Sequence, residues 1–514
     1  MSFCQPFGYY ERFKTHEVKA GDTGIGGKNP IRIQSMVNSP TDNVEATVNQ
    51  SKSLSDAGCE LVRITVRNLK DVEFFRKIQT QLRADNYSVP LVADVHFNPE
   101  LALKVAEFAE KVRINPGNYS DISKSAHKKS FSESEFRMGK ERIFENIKPL
   151  IEVCRKNGTA LRLGVNHGSL SWRMVERYGN GPAGMVATAM EFLEIFESER
   201  FNNIVVSMKA SNPFTMIYAT RLLVQKMKDS GMTFPLHLGV TEAGFGNEGI
   251  YRSALGTGAL LCDGIGDTVR VSLSGNPLQE IPVCQKIIQQ SIELSGNNIT
   301  ETAWPYEPFG NNSAFFKNKN SNLHLPDIVD KEAVSSDYSI IECDNKSLHE
   351  IRKEIVFHYK ISEKPIFLTS NKPADISHAV ITGALLSDGL IAGWAVSEKY
   401  LADYIEVLRA SGLMHYQTIF VSCPTCGRTS YDLESVAKEV KKRIQKIPRL
   451  KIAIMGCIVN GPGEMEDADY GILGEQGGRV SIYKGKVCII KGIESDKAAE
   501  TLKEIIINNG YISA

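Results

Sequence analysis

The sequence lacks an excess of either charge, an apolar run of membrane length, and the apolar core of a signal peptide at its start. Lysine and arginine number 60 among 514 residues, and aspartate and glutamate also number 60. A neutral chain has no overall field that would attract nucleic acid or an anionic membrane. We therefore expect a cytoplasmic protein that binds neither, in which any anion is held by a local group of cations.

Two common signatures are also missing. No G-x-G-x-x-G sequence follows the first predicted strand, which argues against a dinucleotide site of the Rossmann type. The ten cysteines are scattered along the chain, and reducing conditions in the cytoplasm argue against a disulfide framework. The thiols are therefore expected either to be buried or to bind a metal.

Residues 1–292 repeat one pattern eight times, a short apolar run that ends in polar residues and is followed by a stretch with helical spacing. The runs span 31–36, 61–66, 90–97, 111–117, 160–166, 203–210, 235–242 and 267–273. Alternating strands and helices predict right-handed parallel βαβ units, and eight of them within about 250 residues match a (β/α)₈ TIM barrel. An open doubly wound sheet is the structural alternative.

A TIM barrel places its chemistry at the carboxyl ends of its strands. Four cations stand at such ends, namely Arg63, Arg113, Lys209 and Arg270. Together they favour a site for a multiply charged anion, because guanidinium groups match phosphate oxygens. The alternative for each is an ion pair with a nearby carboxylate. Glu242, in GVTEAG, is predicted to give or take a proton beside them, or else to neutralise one of them.

Neutral polar residues share these strand ends. Asn118, Asn166 and Ser272 are predicted to line the same mouth. Asp94 and His96, in ADVHF, have either a packing role or a catalytic one.

The composition changes after the eighth unit. Residues 295–324 are rich in Asn, Pro and Ser, which is typical of a long irregular connection. Strand-like runs in DYSIIECD, KPIFLTS and DGLIAGWAV then alternate with helical patterns, so we predict an inserted α/β spacer domain over 293–410. Cys343 in this region is expected to be a buried apolar residue rather than a ligand.

The last domain, predicted over 411–514, carries cysteines at the ends of apolar runs. Cys423 and Cys426 form a C-x-x-C in VSCPTCGR, and Cys457 follows a second strand in MGCIVNGPGE, which ends at Glu464. The three thiols and this carboxylate could converge on one point. Loops rich in Gly and Pro can present amide groups to sulfides, which favours an iron–sulfur cluster. A zinc site completed by Cys488 is the alternative, although the apolar run around Cys488 predicts that it is buried.

Seven motifs resemble those of the 4-hydroxy-3-methylbut-2-enyl diphosphate synthases of the non-mevalonate isoprenoid pathway. They are RINPGN, LRLGVNHGSL, VSMKAS, LGVTEAG, GIGDTVRVSL, VSCPTCGR and MGCIVNGPGE. These motifs cover both the barrel and the last domain. The region between is similar to the extra domain of the long, three-domain form of this family.

The resemblance implies an oxidoreductase that opens the ring of 2-C-methyl-D-erythritol 2,4-cyclodiphosphate by reduction, with loss of water. It implies a 4Fe-4S cluster bound by Cys423, Cys426, Cys457 and Glu464. We predict that Glu242 supplies the proton. We predict that the diphosphate is bound by Arg63, Arg113, Asn118, Asn166, Lys209, Arg270 and Ser272. A flavodoxin or a ferredoxin would donate the electrons, and a homodimer is an open alternative to a site within one chain.

Two other functions stay open from the residues alone. A structural zinc knuckle attached to a barrel that binds a phosphorylated metabolite would make this a regulatory or scaffold protein. A cluster without substrate chemistry would make it an electron carrier or a module of the sulfite-reductase kind. The anion site of the barrel argues against a pure carrier.

Overall fold

A two-stranded hairpin and three larger sheets follow one another along the part of the chain that the structure describes. The structure is a computed structural model, and it describes residues 9–95, 98–119, 131–296, 327–331, 338–362, 364–413, 418–444, 447–448, 450–457, 465 and 468–511. Within those residues, no helix has both the length and the apolar character needed to cross a bilayer.

The first sheet is a barrel of parallel strands, preceded by a short hairpin. In chain order the strands are β1 (Val18–Ala20), β2 (Thr23–Ile25), β3 (Arg32–Met36), β4 (Leu61–Val66), β5 (Leu91–Val95), β6 (Lys111–Ile114), β7 (Ala160–Asn166), β8 (Ile204–Lys209), β9 (His237–Leu238) and β10 (Thr268–Val269). The sheet order is β8-β7-β6-β5-β4-β3-β10-β9. A parallel bridge from Val206 to Leu236 joins its two edges. Each of the eight predicted runs holds a strand, so the TIM barrel is confirmed and the open sheet is wrong.

Helices cover the outside of this barrel. They are α1 (Val44–Asp56), α2 (Leu69–Ala84), α3 (Pro99–Ala106), α4 (Glu133–Asn157), α5 (Trp172–Tyr178), α6 (Pro182–Ser198), α7 (Pro213–Asp229), α8 (Gly246–Cys262) and α9 (Glu280–Ser295). Polar side chains cap the first turns of several of these helices. Asn43 accepts a hydrogen bond from the amide of Ala46, and Asn68 accepts one from the amide of Asp71. The apolar faces of helices and strands then form one continuous core.

The β1–β2 hairpin closes the bottom of the barrel. Its buried residues Val18, Ala20 and Ile25 form one apolar cluster with residues near the amino ends of the strands, such as Leu61 and Ala160. Water is therefore excluded from that end, and the carboxyl end is left as the opening.

The second sheet lies in the inserted region and is parallel throughout. Its strands are β11 (Asp327–Asp330), β12 (Ser339–Glu342), β13 (Ile366–Thr369) and β14 (Gly393–Val396), in the order β11-β14-β13-β12. Its helices are α10 (Leu348–Ile361), α11 (Ile376–Ser387) and α12 (Leu401–Ser411). The predicted α/β character is confirmed. Helices α9 and α12 end slightly beyond the predicted domain boundaries, which stay a prediction, and most of the predicted connection lies outside the described residues.

The insert repeats a piece of the barrel and packs against that piece. Residues 257–264 read TGALLCDG in α8 and the turn after it, and residues 382–389 read TGALLSDG in the corresponding part of α11. A Cβ atom on Gly258 would lie 2.3 Å from Val380, and one on Gly383 would lie 2.1 Å from the backbone oxygen of Leu255. Because glycine stands at both points, the two helices approach closely, as a pair with near-twofold symmetry.

Four buried charges extend this symmetry. Arg221 pairs with Asp263 and with Asp388, both at 2.9 Å. Arg352 pairs with Asp388 at 2.7 Å and with Asp263 at 3.7 Å. None of the four side chains is more than 1% exposed. Asp263 belongs to the copy of the repeat in the barrel, and Asp388 belongs to the copy in the insert. Because both arginines pair with both aspartates, the network joins the insert to the barrel.

Asp388→Asn is expected to destabilise the contact between insert and barrel by about 3–5 kcal/mol, because two buried guanidinium groups would lose a charged partner. The expected result is a lower thermal unfolding midpoint and faster amide hydrogen exchange in α8 and α11. Asp85→Asn, which removes a partly exposed pair with Lys52, serves as the control and should leave the unfolding midpoint close to that of the wild type. An unchanged midpoint for Asp388→Asn would contradict this role for the network.

The third sheet carries the cysteine loops. Its strands are β15 (Ile419–Ser422), β16 (Lys451–Met455), β17 (Tyr470–Gly474), β18 (Arg479–Lys484) and β19 (Val487–Glu494), in that order across the sheet, with helices α13 (Leu433–Ile444) and α14 (Ala498–Asn508). Strands β15 and β16 are parallel neighbours. Cys423 follows β15 and Cys457 follows β16. Because the two strands are parallel, both cysteine loops begin at the carboxyl end of the sheet.

Cys488 lies on the opposite side of this sheet, on the edge strand β19. It is exposed, so the expectation that it is buried is wrong. Its neighbours Val487 and Ile489 are 65% and 40% exposed as well. The apolar run indicated a buried strand, but an edge strand without a covering layer leaves such residues at the surface.

Candidate active site at the barrel mouth

One cavity lies between the barrel and the third sheet, and both contribute to its walls. It is lined by Met36, Arg63, Asp94, Arg113, Arg162, Asn166, Lys209, Thr241, Glu242, Arg270, Ser272, Cys423, Pro424, Cys426, Arg428, Met455 and Cys457. The predicted cations and the predicted thiols therefore face the same space.

Most of the predicted site residues that the structure describes are brought together here. Asn118 is not, because it lies in a short 3-10 turn after β6 and does not line the cavity. Glu464, the predicted fourth cluster ligand, lies outside the described residues, as does His96. The roles of all the predicted site residues stay predictions.

Asp94 is the central carboxylate of the mouth. It is fully buried and pairs with Arg63 at 2.6 Å and with Arg113 at 3.4 Å, both from neighbouring strands. Its second oxygen pairs at 2.7 Å with Arg428, which follows the C-x-x-C motif. One carboxylate therefore orients two barrel arginines and also holds the cysteine loop over them.

Glycines make room for the long cationic side chains. A Cβ atom on Gly164 would lie 2.6 Å from Nε of Arg113, and one on Gly239 would lie 2.6 Å from Nζ of Lys209. The Lys209 ammonium donates to the backbone oxygen of Gly239 at 2.8 Å. Sequence motifs such as LRLGVN and LGVTEAG therefore need glycine because side chains from adjacent strands cross it.

The cavity is strongly positive. Among its described lining residues, six are cations and two are carboxylates. Desolvation, with repulsion from Arg270 and Arg113, lowers the pKa of Arg63 to about 10, although Asp94 opposes this shift. Desolvation and the nearby Arg162 also hold the pKa of Lys209 well below its ordinary value. Cations that repel one another in this way are suited to bind an anion with more than one charge.

Glu242 has an unusual backbone conformation at the rim. Its φ is +56°, in the left-handed region that a residue with a side chain rarely adopts, and it is 3% exposed. The next residue, Ala243, forms a parallel bridge with Ser422 of β15. The conformation therefore places a buried carboxyl between the barrel and the cysteine loop.

The thiols have surroundings that suit a cluster better than a single ion. The amide of Gly456 donates to Sγ of Cys423 at 3.0 Å. Desolvation, with the negative charge of Glu242, raises the pKa of Cys423. Tetrahedral zinc with bonds of about 2.3 Å requires sulfurs about 3.8 Å apart. Among the described residues, the three sulfurs are not all within 4.8 Å of one another, which is wider than one zinc ion requires.

Direct contacts hold the cysteine loop on its own barrel. The Ser274 hydroxyl donates to the backbone oxygen of Cys423 at 2.9 Å, and the Thr425 hydroxyl donates to the backbone oxygen of Gly275 at 2.7 Å. A Cβ atom on Gly427 would lie 2.8 Å from the backbone oxygen of Ser39. The loops after β10 and β3 thus form the barrel surface that the cysteine loop of the third sheet contacts.

Sequence reasoning missed two cations of the mouth. Arg162 lies in the first half of β7, four residues before Asn166, and this even spacing was the sequence signal that both point into the barrel. In the structure its register partner is Arg113. Arg428 stands two residues after the C-x-x-C motif, and nothing near it in the sequence indicates its partner, which is 334 residues away.

Comparison with known protein families agrees with this arrangement. Residues 15–285 match the GcpE TIM-barrel domain, and residues 419–508 match the GcpE protein C-terminal domain. The chain belongs to the GcpE family. The two matches contain the two walls of the cavity.

Curated relatives extend the similarity over nearly the whole chain. A protein from Phocaeicola vulgatus is 37% identical, and the alignment covers 98% of each chain. Proteins from Chlamydia muridarum and Leptospira interrogans are 35% and 34% identical, with at least 97% of each chain covered. All three are named 4-hydroxy-3-methylbut-2-en-1-yl diphosphate synthase (flavodoxin).

Proposed function

We propose that this chain reduces 2-C-methyl-D-erythritol 2,4-cyclodiphosphate to 4-hydroxy-3-methylbut-2-enyl diphosphate. The observation that carries the proposal is the single cavity in which six cations of the chain face three thiols. A phosphate-binding mouth without the thiols would suit a binding protein, and thiols without the cations would suit a carrier. The relatives named as synthases of this product support the same reaction.

The charges of substrate and product suit this site. The cyclic dianion takes up two electrons and one proton and gives a linear trianion and water. The bond between a ring carbon and a diphosphate oxygen breaks, and a neighbouring hydroxyl leaves as water with the added proton. Product formation therefore requires one proton donor at the hydroxyl and a cationic wall for the diphosphate.

Cys423, Cys426 and Cys457 would hold a 4Fe-4S cluster, with Glu464 predicted as its fourth ligand. The three thiols that line one cavity and the amide of Gly456 directed at Cys423 support that fit. When bound, the cluster supplies electrons one at a time.

The chain's own residues bind and orient the substrate. Arg63, Arg113, Lys209 and Arg270 would clamp the diphosphate, with Asn166 and Ser272 as hydrogen-bonding partners. Arg162 and Arg428 line the same space and belong to the same clamp. Glu242, between the two walls, would give the proton to the leaving hydroxyl. The hydrogen bonds of Ser274 and Thr425 hold the cysteine loop on the barrel, and this contact keeps bulk water out of the closed site.

We propose a flavodoxin as the electron donor, on the strength of the relatives' names. The test of the whole function is turnover without oxygen on protein with an assembled cluster, supplied with the cyclic diphosphate and a one-electron reductant. We expect the linear diphosphate, formed only with the reductant. Protein that carries the cluster and binds the substrate, yet forms no product with flavodoxin or with a chemical reductant, would rule the function out.

Lys209→Ala is expected to weaken substrate binding on the order of 10- to 100-fold, because one charge-assisted hydrogen bond to phosphate is lost. Calorimetric titration with the cyclic diphosphate measures this change. Lys226→Ala, an exposed lysine on α7, is the matched control and should bind like the wild type. An unchanged binding isotherm for Lys209→Ala would remove this residue from the clamp.

Substrate binding is also expected to take up protons. The pKa of Lys209 is lowered in the free protein, chiefly by desolvation and then by Arg162, and a bound dianion would raise it again. At a pH between the pKa of Lys209 in the free protein and its pKa in the complex, the amine is neutral before binding and charged after it. Substrate affinity therefore falls as the pH rises from the lower pKa to the higher one. Titrations in buffers of different ionisation enthalpy measure the uptake, and binding heats that do not depend on the buffer would contradict it.

A further inference from the structure

A second group of metal-binding residues lies in the insert, away from the cysteine loops. Cys343 and Asp344 follow β12, and His378 stands in the first turn of α11. One ligand atom from each residue lies within 4.8 Å of the other two. Parallel strands gather such residues at the carboxyl edge of their sheet. Cys343 is buried as expected, but it faces a carboxylate and an imidazole rather than an apolar core alone.

The histidine is held so that one nitrogen is directed at the group. Nδ1 of His378 lies 2.8 Å from Oδ1 of Asp375. The backbone amide of Asp375 also points at Nδ1, at 3.2 Å. The carboxylate contact is the shorter of the two, so we assign the proton to Nδ1, because two lone pairs at 2.8 Å would repel each other. The lone pair of Nε2 then faces the group. A carboxylate on the far nitrogen is also the usual support of a histidine that binds a metal.

The neighbouring hydroxyl cannot satisfy both remaining acceptors. Ser370 Oγ lies 2.6 Å from Oδ1 of Asp344 and 3.2 Å from Nε2 of His378. Its single proton is directed at the carboxylate, which is the shorter contact. Nε2 of His378 is therefore left without the proton of this hydroxyl and lies beside the Cys343 sulfur and the Asp344 carboxylate. A cation that displaces the proton of the thiol would bind all three ligand atoms.

We propose that Cys343, Asp344 and His378 bind a zinc ion. A thiolate, an imidazole and a carboxylate suit zinc, whereas magnesium and calcium prefer oxygen ligands alone. Zinc with one thiolate and one carboxylate is neutral overall, which suits a site with two buried ligands. The ligand atoms would move together by about 1 Å to reach tetrahedral spacing, and water would take the fourth position.

The zinc ion would stabilise the insert and take no part in the chemistry at the mouth. It would tie the end of β12 to α11, the helix that packs against α8 of the barrel. Zinc that binds the folded chain alone should raise its unfolding midpoint.

The test uses the full chain with its iron–sulfur cluster assembled, incubated with zinc sulfate and then desalted. We expect about one zinc per chain in the wild type and in Cys488→Ser, whose exposed thiol is the control. We expect Cys343→Ser and His378→Gln to lose that zinc and its increase in unfolding midpoint. Ser370→Ala should keep the zinc, since the hydroxyl is not a ligand.

Three results would overturn the site. One is a wild type that binds no zinc. Another is zinc bound equally by Cys343→Ser. X-ray absorption at the zinc edge on the wild type adds a test that needs no variant, with one sulfur expected at about 2.3 Å. Three sulfurs would mean that zinc had entered the cysteine loops, which also overturns the site.

Discussion

Glu242→Gln is expected to lower turnover by about 10²- to 10⁴-fold while leaving iron content and substrate affinity close to those of the wild type. Glutamine keeps the size of the side chain and its hydrogen-bonding capacity but cannot give the proton that leaves with the water. Glu242 is 3% exposed, so bulk water cannot easily replace it as the donor. The effect should therefore appear in kcat rather than in KM.

The measurement is single-turnover product formation without oxygen, alongside iron analysis and a binding titration for each protein. Glu197→Gln changes an exposed carboxyl on α6 and should behave as wild type. If Glu242→Gln turned over at a near-normal rate, the proton would have to come from elsewhere. If it lost iron or substrate affinity as well, its role would be structural.

Cys426→Ala is expected to abolish turnover and to remove most of the iron and acid-labile sulfide. Its sulfur lines the cavity together with those of Cys423 and Cys457, and a cluster that loses one thiolate of three is poorly held. Cys488→Ser is the matched control, because Cys488 is exposed on the edge strand β19 and does not line the cavity. It should keep full iron content and full activity.

A different distribution of metal would contradict the cluster. Wild-type protein prepared without oxygen should contain about four irons and four sulfides per chain. Zinc bound at the three cavity thiols, without sulfide, would mean that these thiols are structural. The redox function would then have to be withdrawn, and only the anion-binding barrel would remain.

The barrel could be predicted from the sequence because each strand carries its own signal. Apolar runs such as 61–66 and 203–210 stand alone between helical stretches, and the count of eight selects a closed barrel. The predicted cations stand at the carboxyl ends of these runs, and the thiols stand at the ends of apolar runs in the last domain. The sequence was sufficient wherever a feature depends only on residues that are close together in the chain.

Contacts between distant parts of the chain could not be predicted in this way. Nothing near Arg428 indicates that it pairs with Asp94, because the pairing depends on how the third sheet sits on the barrel. The hairpin of β1 and β2 is too short to give a periodic signal, yet it closes the barrel. The matching octapeptides of α8 and α11 are visible in the sequence, but their mutual packing rests on Gly258 and Gly383 at one crossing point.

We expect one chain to build the whole site from its own barrel and its own cysteine loop. Asp94 of the barrel and Arg428 of the cysteine loop join the two walls directly. The insert, fixed to the barrel by Arg221 and Asp388, connects these walls along the chain. A homodimer could still form, but it would not need to exchange cysteine loops.

Co-expression of two inactive variants tests whether the cysteine loop serves the barrel of its own chain. Glu242→Gln has an intact cysteine loop and a defective barrel, whereas Cys426→Ala has an intact barrel and a defective loop. We expect the mixture to be no more active than the two proteins measured separately, because neither chain contains both working halves. Recovery of about a quarter of wild-type activity, the share of restored sites in random dimers, would show that the loop of one chain serves the barrel of another.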